Sequence, residues 1–134
     1  MPERHPRGVI DTCVFIDLAD LSADALPALP EITAITLAEL HQGVAMAKSA
    51  AVRAARLEKL GSAVGDFEPL PFDADAASRY GSLVALTLAA KRDPRPRRVD
   101  LMIAAIASSR GLPLYTRTTD DFAGLEDLLT VVPV

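Results

Sequence analysis

Short β-branched runs alternate with longer segments of helical period along this chain, and an acid closes or opens run after run. Residues 8–10 form an apolar run closed by Asp11. Residues 31–35 are β-branched and lead into Leu37–Leu40, where apolar residues turn to helical spacing. Residues 49–64 are Ala-rich, with Val52, Leu57, Leu60 and Val64 as the expected buried stripe. Residues 73–92 predict a second long helix, with Tyr80, Leu83, Val84 and Leu88 inward. A proline-arginine loop stops it, because proline lacks a donor and restricts the residue before it. Asp100 then opens a helix over 100–107 that Gly111 ends. Residues 112–116 and 128–132 predict the last two strands. Strands alternating with helices specify an α/β domain: a three-layer α/β/α sandwich around a mostly parallel sheet.

At 134 residues the chain matches one domain, 1–134. A chain of this size buries roughly two-thirds of its unfolded surface, so its core needs no disulfide or zinc staple. Cys13 is the single cysteine, which excludes an internal disulfide and fits a reducing compartment. The polar opening, with His5 expected in a loose terminus, lacks the apolar stretch of a signal peptide. No apolar run approaches a membrane span. A cytoplasmic protein with no membrane partner is the expectation.

The net charge of −4 argues at first against a nucleic-acid partner. The charge is uneven, however. Residues 91–98 hold five basic residues and one acid, leaving nine basic and seventeen acidic residues elsewhere. One concentrated basic loop can still hold a phosphate backbone locally.

Ligands of open α/β sheets bind beyond the carboxyl ends of the strands. Asp11 closes the first strand, and Glu39 falls in the first turn of the helix after the second. Asp100 opens the helix feeding the third strand, and Asp120 and Asp121 follow that strand. A parallel sheet gathers these acids at one end. Each has a structural explanation alone: Thr36 and Glu39 read as a capping box, and Asp11, Asp100 and Asp120 as helix caps. Together they do not. Two like charges about 4 Å apart repel by roughly 4 kcal/mol at an effective dielectric of 20. Gathered carboxylates therefore call for a cation, and an all-oxygen donor set suits a hard one, Mg²⁺ or Mn²⁺.

Four blocks carry a family resemblance: Ile10-Asp11-Thr12-Cys13-Val14, Thr36-Leu37-Ala38-Glu39-Leu40-His41-Gln42-Gly43, Asp100-Leu101-Met102-Ile103-Ala104-Ala105, and Tyr115-Thr116-Arg117-Thr118-Thr119-Asp120-Asp121-Phe122. In order and spacing they resemble the PIN-domain nucleases, and among these the VapC toxins of bacterial toxin–antitoxin pairs. The resemblance runs from residue 9 to about 132. It implies a Mg²⁺- or Mn²⁺-dependent endoribonuclease that cuts structured RNA such as tRNA or rRNA. It also implies a homodimer, neutralised by a VapB-type antitoxin. By the same resemblance Asp11 and Asp100 are direct metal ligands, and Glu39 and Asp121 complete the site. Thr12 and Thr116 would orient those carboxylates. The fourth block departs from the pattern, with Thr118 where Asn or Asp is usual, so the last acid is Asp121 or its neighbour Asp120. Arg95, Arg97, Arg98 and Arg117 are the candidates for phosphate contact.

His41 lies two positions from Glu39, about 200° around a helix, and reads as a surface histidine rather than a base. Cys13 reads as a small buried apolar residue. The few aromatics sit in apolar runs and read as core, against a base-stacking single-strand binder. Two rival readings remain. One is a phospho-acceptor with Asp11 as nucleophile, weakened because Cys13 stands where a second acid belongs. The other is a silent PIN-like domain that binds RNA or protein without cutting.

Overall fold

The structure, a computed structural model, describes residues 4–134; residues 1–3 of the polar opening lie outside the described residues. Four short strands, β1 (Arg7–Ile10), β2 (Leu29–Glu31), β3 (Leu114–Thr116) and β4 (Val131–Pro133), form one sheet in the order β2-β1-β3-β4. Every pairing is parallel. The helices are α1 (Thr12–Ile16), α2 (Ala34–Ala45), α3 (Ala50–Asp66), α4 (Ala74–Ala89) and α5 (Arg98–Ser109).

Successive strand residues point to opposite faces, and the core divides accordingly. Val9, Leu114 and Val131 face a cluster that includes Leu83 of α4 and Leu101, Ile103 and Ala104 of α5. Ile10, Tyr115 and Val132 face the other, with Val14 and Phe15 of α1, Leu40 of α2 and Ala63 of α3. A sheet buried on both faces between two helical layers is the expected α/β/α sandwich. Gly8 lets the sheet close: a Cβ there would stand 2.7 Å from the Tyr115 ring. Gly111 takes a φ of 66°, and its amide and that of Leu112 return to carbonyls of α5, ending that helix as expected. Among the described residues no helix is long and apolar enough to cross a membrane.

Several local expectations change. The strand expected over 31–35 ends at Glu31, and α2 begins at Ala34 with Thr33 as its cap, accepting from the Thr36 amide at 3.2 Å. Thr33 instead bridges to Leu70, whose amide donates to the Ile32 carbonyl and whose carbonyl accepts from the Ala34 amide, so no longer strand is needed. The capping box on Thr36 and Glu39 is therefore absent. The stripe expected on α3 is rotated: Val52, Leu57 and Val64 are exposed, and Ala63 is the buried residue. α3 packs on α2 rather than on the sheet, so few of its residues meet the core. Leu88 is exposed too, while Thr87 turns inward and its hydroxyl donates to the Leu83 carbonyl. His5 is docked rather than loose, its ring edge-on to Tyr115 and its carbonyl accepting from Ala28.

Candidate active site

The carboxyl ends of β1 and β3 open into a cleft of about 1060 Å³ whose lining includes Asp11, Glu39, Asp100 and Asp121. Asp11 follows β1 directly and caps α1, its Oδ1 accepting from the Val14 amide at 3.0 Å. It is both a cap and a site residue; the two roles use different lone pairs.

Glu39 sits in the second turn of α2, which begins a turn earlier than expected and frees the carboxylate from capping. The Thr12 hydroxyl donates to Glu39 Oε1 at 2.6 Å. Thr12 has one proton to give, so the contact with Thr36 Oγ1 at 2.9 Å must be donated by Thr36. A buried Thr36 thus holds Thr12, and Thr12 holds Glu39. Thr36 is the residue that capping logic misassigned; its place three before Glu39, on the same helix face, is the signal that was present.

Asp100 is not the cap of α5. It is the third residue of that helix, where the helix dipole favours an anion. Burial nevertheless raises its carboxyl above the ordinary range, with further increments from Asp121, Glu39 and Asp11, while Arg97 pulls it down. Asp100 thus lies in the field of the other three acids lining the cleft. Cys13 lines the same cleft as an exposed residue rather than a buried one. Partial burial and the charges of Asp11, Glu39, Asp100 and Asp17 push its thiol up.

The end of β3 divides the two candidate acids. Asp121 lines the cleft, whereas Asp120 is exposed outside its lining. Arg97 donates to Asp121 Oδ1 at 2.8 Å and to its carbonyl at 3.0 Å, holding backbone and carboxylate together. Thr116 is buried and bonds to Thr118, Oγ1 to Oγ1 at 3.2 Å, so it supports the loop rather than a carboxylate. The arginines expected at phosphates are turned to the protein. Arg95 pairs with Asp93, Arg97 with Asp121 and Arg117 with Asp17, while Arg98 donates to the Arg95 carbonyl. None of the four lines the cleft.

The donor set suits a hard cation: four carboxylates line one cleft, with Arg97 bonded to one of them and Arg56 and Lys59 on the α3 wall. Among the described residues no three acids, histidines or cysteines are already grouped as a metal cage. Asp11, Glu39 and Asp121 are each turned to a protein donor.

The PIN domain family matches residues 8–127. Ribonuclease VapC5 from Mycobacterium tuberculosis (strain ATCC 25618 / H37Rv) is 42% identical over 127 residues, 92% of this chain and 91% of that protein. The crystal structure of VapBC-5 from Mycobacterium tuberculosis, a VapBC toxin–antitoxin member, superposes with a TM-score of 0.84 at 41% identity. It covers 96% of this chain and 99% of that one. FitAcB from Neisseria gonorrhoeae shares the fold, with a TM-score of 0.73 at 24% identity over 92% of this chain and 95% of that one. With residues 8–127 matched and the acids of all four blocks lining one cleft, the chain belongs to the PIN-domain family, among its VapC-type members.

Proposed function

We propose that this chain is a metal-dependent endoribonuclease that cuts structured RNA, tRNA or rRNA. In this reading it is the toxin of a toxin–antitoxin pair, a homodimer restrained by a VapB-type antitoxin. One observation carries the catalytic part: carboxylates delivered by β1, α2, α5 and the loop after β3 share a single cleft, where burial and then the other three acids raise the proton affinity of Asp100. The likeness to a ribonuclease and to a VapBC structure supports the substrate class and the partner.

Asp11 and Asp100 would hold the cation, with Glu39 and Asp121 completing the donor set; Mg²⁺ fits, and Mn²⁺ has the same chemistry. When bound, such an ion orients and acidifies water and stabilises the departing oxygen of a phosphodiester. Thr12 holds the Glu39 carboxylate, Arg97 holds Asp121, and the Val14 amide holds one oxygen of Asp11, so three of the four acids keep a supporting contact within the cleft.

The test is cleavage of labelled tRNA and rRNA in Mg²⁺ by the parent chain and by Asp11→Asn. Cleavage by the parent, its loss in the variant and its loss in chelator are expected. Full activity of Asp11→Asn at saturating Mg²⁺ would sink the assignment. A silent binding domain is the second reading, favoured by the Arg97–Asp121 pair that already engages the fourth acid. It requires RNA binding without any metal-dependent product.

A further inference from the structure

In the basic loop that the sequence offers to RNA, Arg95 and Arg97 are paired with acids and Arg92 and Arg98 donate to backbone carbonyls, which raises the question of what meets the strand as it leaves the acids. Within the cleft the cations are Arg56 and Lys59, both on α3. We propose that Arg56 and Lys59 form a phosphate-contact subsite, holding the RNA backbone beside the bond that is cut. The proposal rests on the ribonuclease reading above and adds to it where the strand runs.

Three observations carry it. The two residues stand three apart on one helix, so their side chains share a face. Neither has a carboxylate partner among the described residues, in contrast to Arg95, Arg97 and Arg117. Arg56 is also anchored: Nη1 donates to the Gly43 carbonyl of α2 at 2.6 Å, which fixes the guanidinium at the cleft wall. A guanidinium carries five donors, so those remaining can grip a phosphate.

Charge explains the division of labour. The acid end of the cleft repels RNA wherever a cation does not intervene, so affinity for the strand has to come from neighbouring positive groups. The α3 wall supplies them in the same cleft as the acids. Exposed Met46 and Val52 line that cleft too, apolar ground for a ribose or a base face.

The experiment measures binding of a fluorescein-labelled mixed-sequence RNA oligonucleotide across a salt series, and cleavage of the same RNA in Mg²⁺. Arg56→Glu and Lys59→Glu are compared with Arg53→Glu, which reverses an equal charge on the same helix outside the cleft. Each cleft variant is expected to raise KM about tenfold with kcat at saturating RNA retained. The log–log salt slope should become shallower by about 0.7–0.9 for each lost phosphate contact. Arg53→Glu should alter neither. Lys59 makes no contact with a carboxylate here, so its variant separates lost RNA contact from any disturbance of the Arg56–Gly43 bond. Cleft variants whose KM and slope match Arg53→Glu overturn the subsite and assign this wall to a protein partner. Absence of cleavage by the parent chain overturns the catalytic reading beneath it.

Discussion

Replacing Asp100 by Asn should stabilise the metal-free protein, although it removes a residue assigned to the active site. Asp100 faces three like charges, Asp121, Glu39 and Asp11, against one opposing cation, Arg97. About two repulsions are left uncompensated. Two unit charges one Debye length apart, about 8 Å, at an effective dielectric of 20 repel by roughly 2 kcal/mol, and salt and solvent exposure take about half of that. Losing the favourable interaction with the α5 dipole returns about 0.3–1 kcal/mol. The net gain is about 1–2 kcal/mol, or a rise in Tm of about 4–7 °C for a chain of this length. The pH dependence has a definite sign. Folding raises this carboxyl above its unfolded value, so between those two values the folded chain binds more protons. Parent stability falls as pH rises through that window, whereas Asn contributes no such slope. Urea unfolding in chelator from about pH 4 to about pH 8 reads the difference. The variant's advantage should open as pH rises from near 4 and level off above the raised value. Saturating Mg²⁺ should then stabilise the parent, by about 2.7 kcal/mol at a hundredfold excess over Kd, and leave the variant unmoved. A variant that is less stable at neutral pH, or an advantage independent of pH, would refute the shared field of the four acids.

Two further outcomes concern neighbouring residues. Arg97 and Asp121 are both partly buried and joined at 2.8 Å, so a double-mutant cycle of Arg97→Gln and Asp121→Asn should return a coupling of about 1 kcal/mol after discounting for solvent. Additivity within about 0.3 kcal/mol would mean that the pair contributes nothing. Lys91 holds a φ of 60° at the end of α4, where its amide returns to the Leu88 carbonyl. Lys91→Gly should raise stability by about 0.5–1 kcal/mol in thermal unfolding, because glycine enters the left-handed region without a Cβ penalty. A loss of stability would show that α4 ends differently in solution.

The layers of the fold were legible because sheet and helix have different periods. Val9 and Ile10, or Leu114 and Tyr115, fall on opposite faces by alternation alone, and the two core clusters follow. What was not legible was where packing outvotes local propensity. Ile32, Thr33 and Ile35 are β-branched, yet α2 starts at Ala34, because Leu70 pairs with Ile32 and Thr33 and ends the strand early. The apolar residues of α3 predict a buried stripe, but burial depends on what a helix packs against, and α3 meets α2. Asp11, Glu39, Asp100 and Asp121 could be named from strand ends and the family pattern. Separating Asp121 from Asp120 required the loop after β3, a single turn in which adjacent residues point in different directions. The pairing of the arginines was hidden for a related reason: a count of charges in residues 91–98 cannot reveal that Asp93 and Asp121 already occupy two of them.

That internal pairing bears on how the acid cluster exists at all without a cation. The Val14 amide, the Thr12 hydroxyl and the Arg97 guanidinium each engage one carboxylate, so three of the four acids are stabilised by the protein's own donors. Asp100 is different: burial and charge act on it, with no hydrogen bond among the causes of its shift. It is therefore the acid with most to gain from an incoming ion. In the metal-dependent reading proposed above, the other three would trade a hydrogen bond of modest net value, about 1–3 kcal/mol for a charged group, against direct ligation. Arg97 stands at the centre of that exchange, three residues before Asp100 in sequence and bonded to Asp121 in space. The same residue that the sequence offered as an RNA contact bonds Asp121 and opposes the acid charge at Asp100.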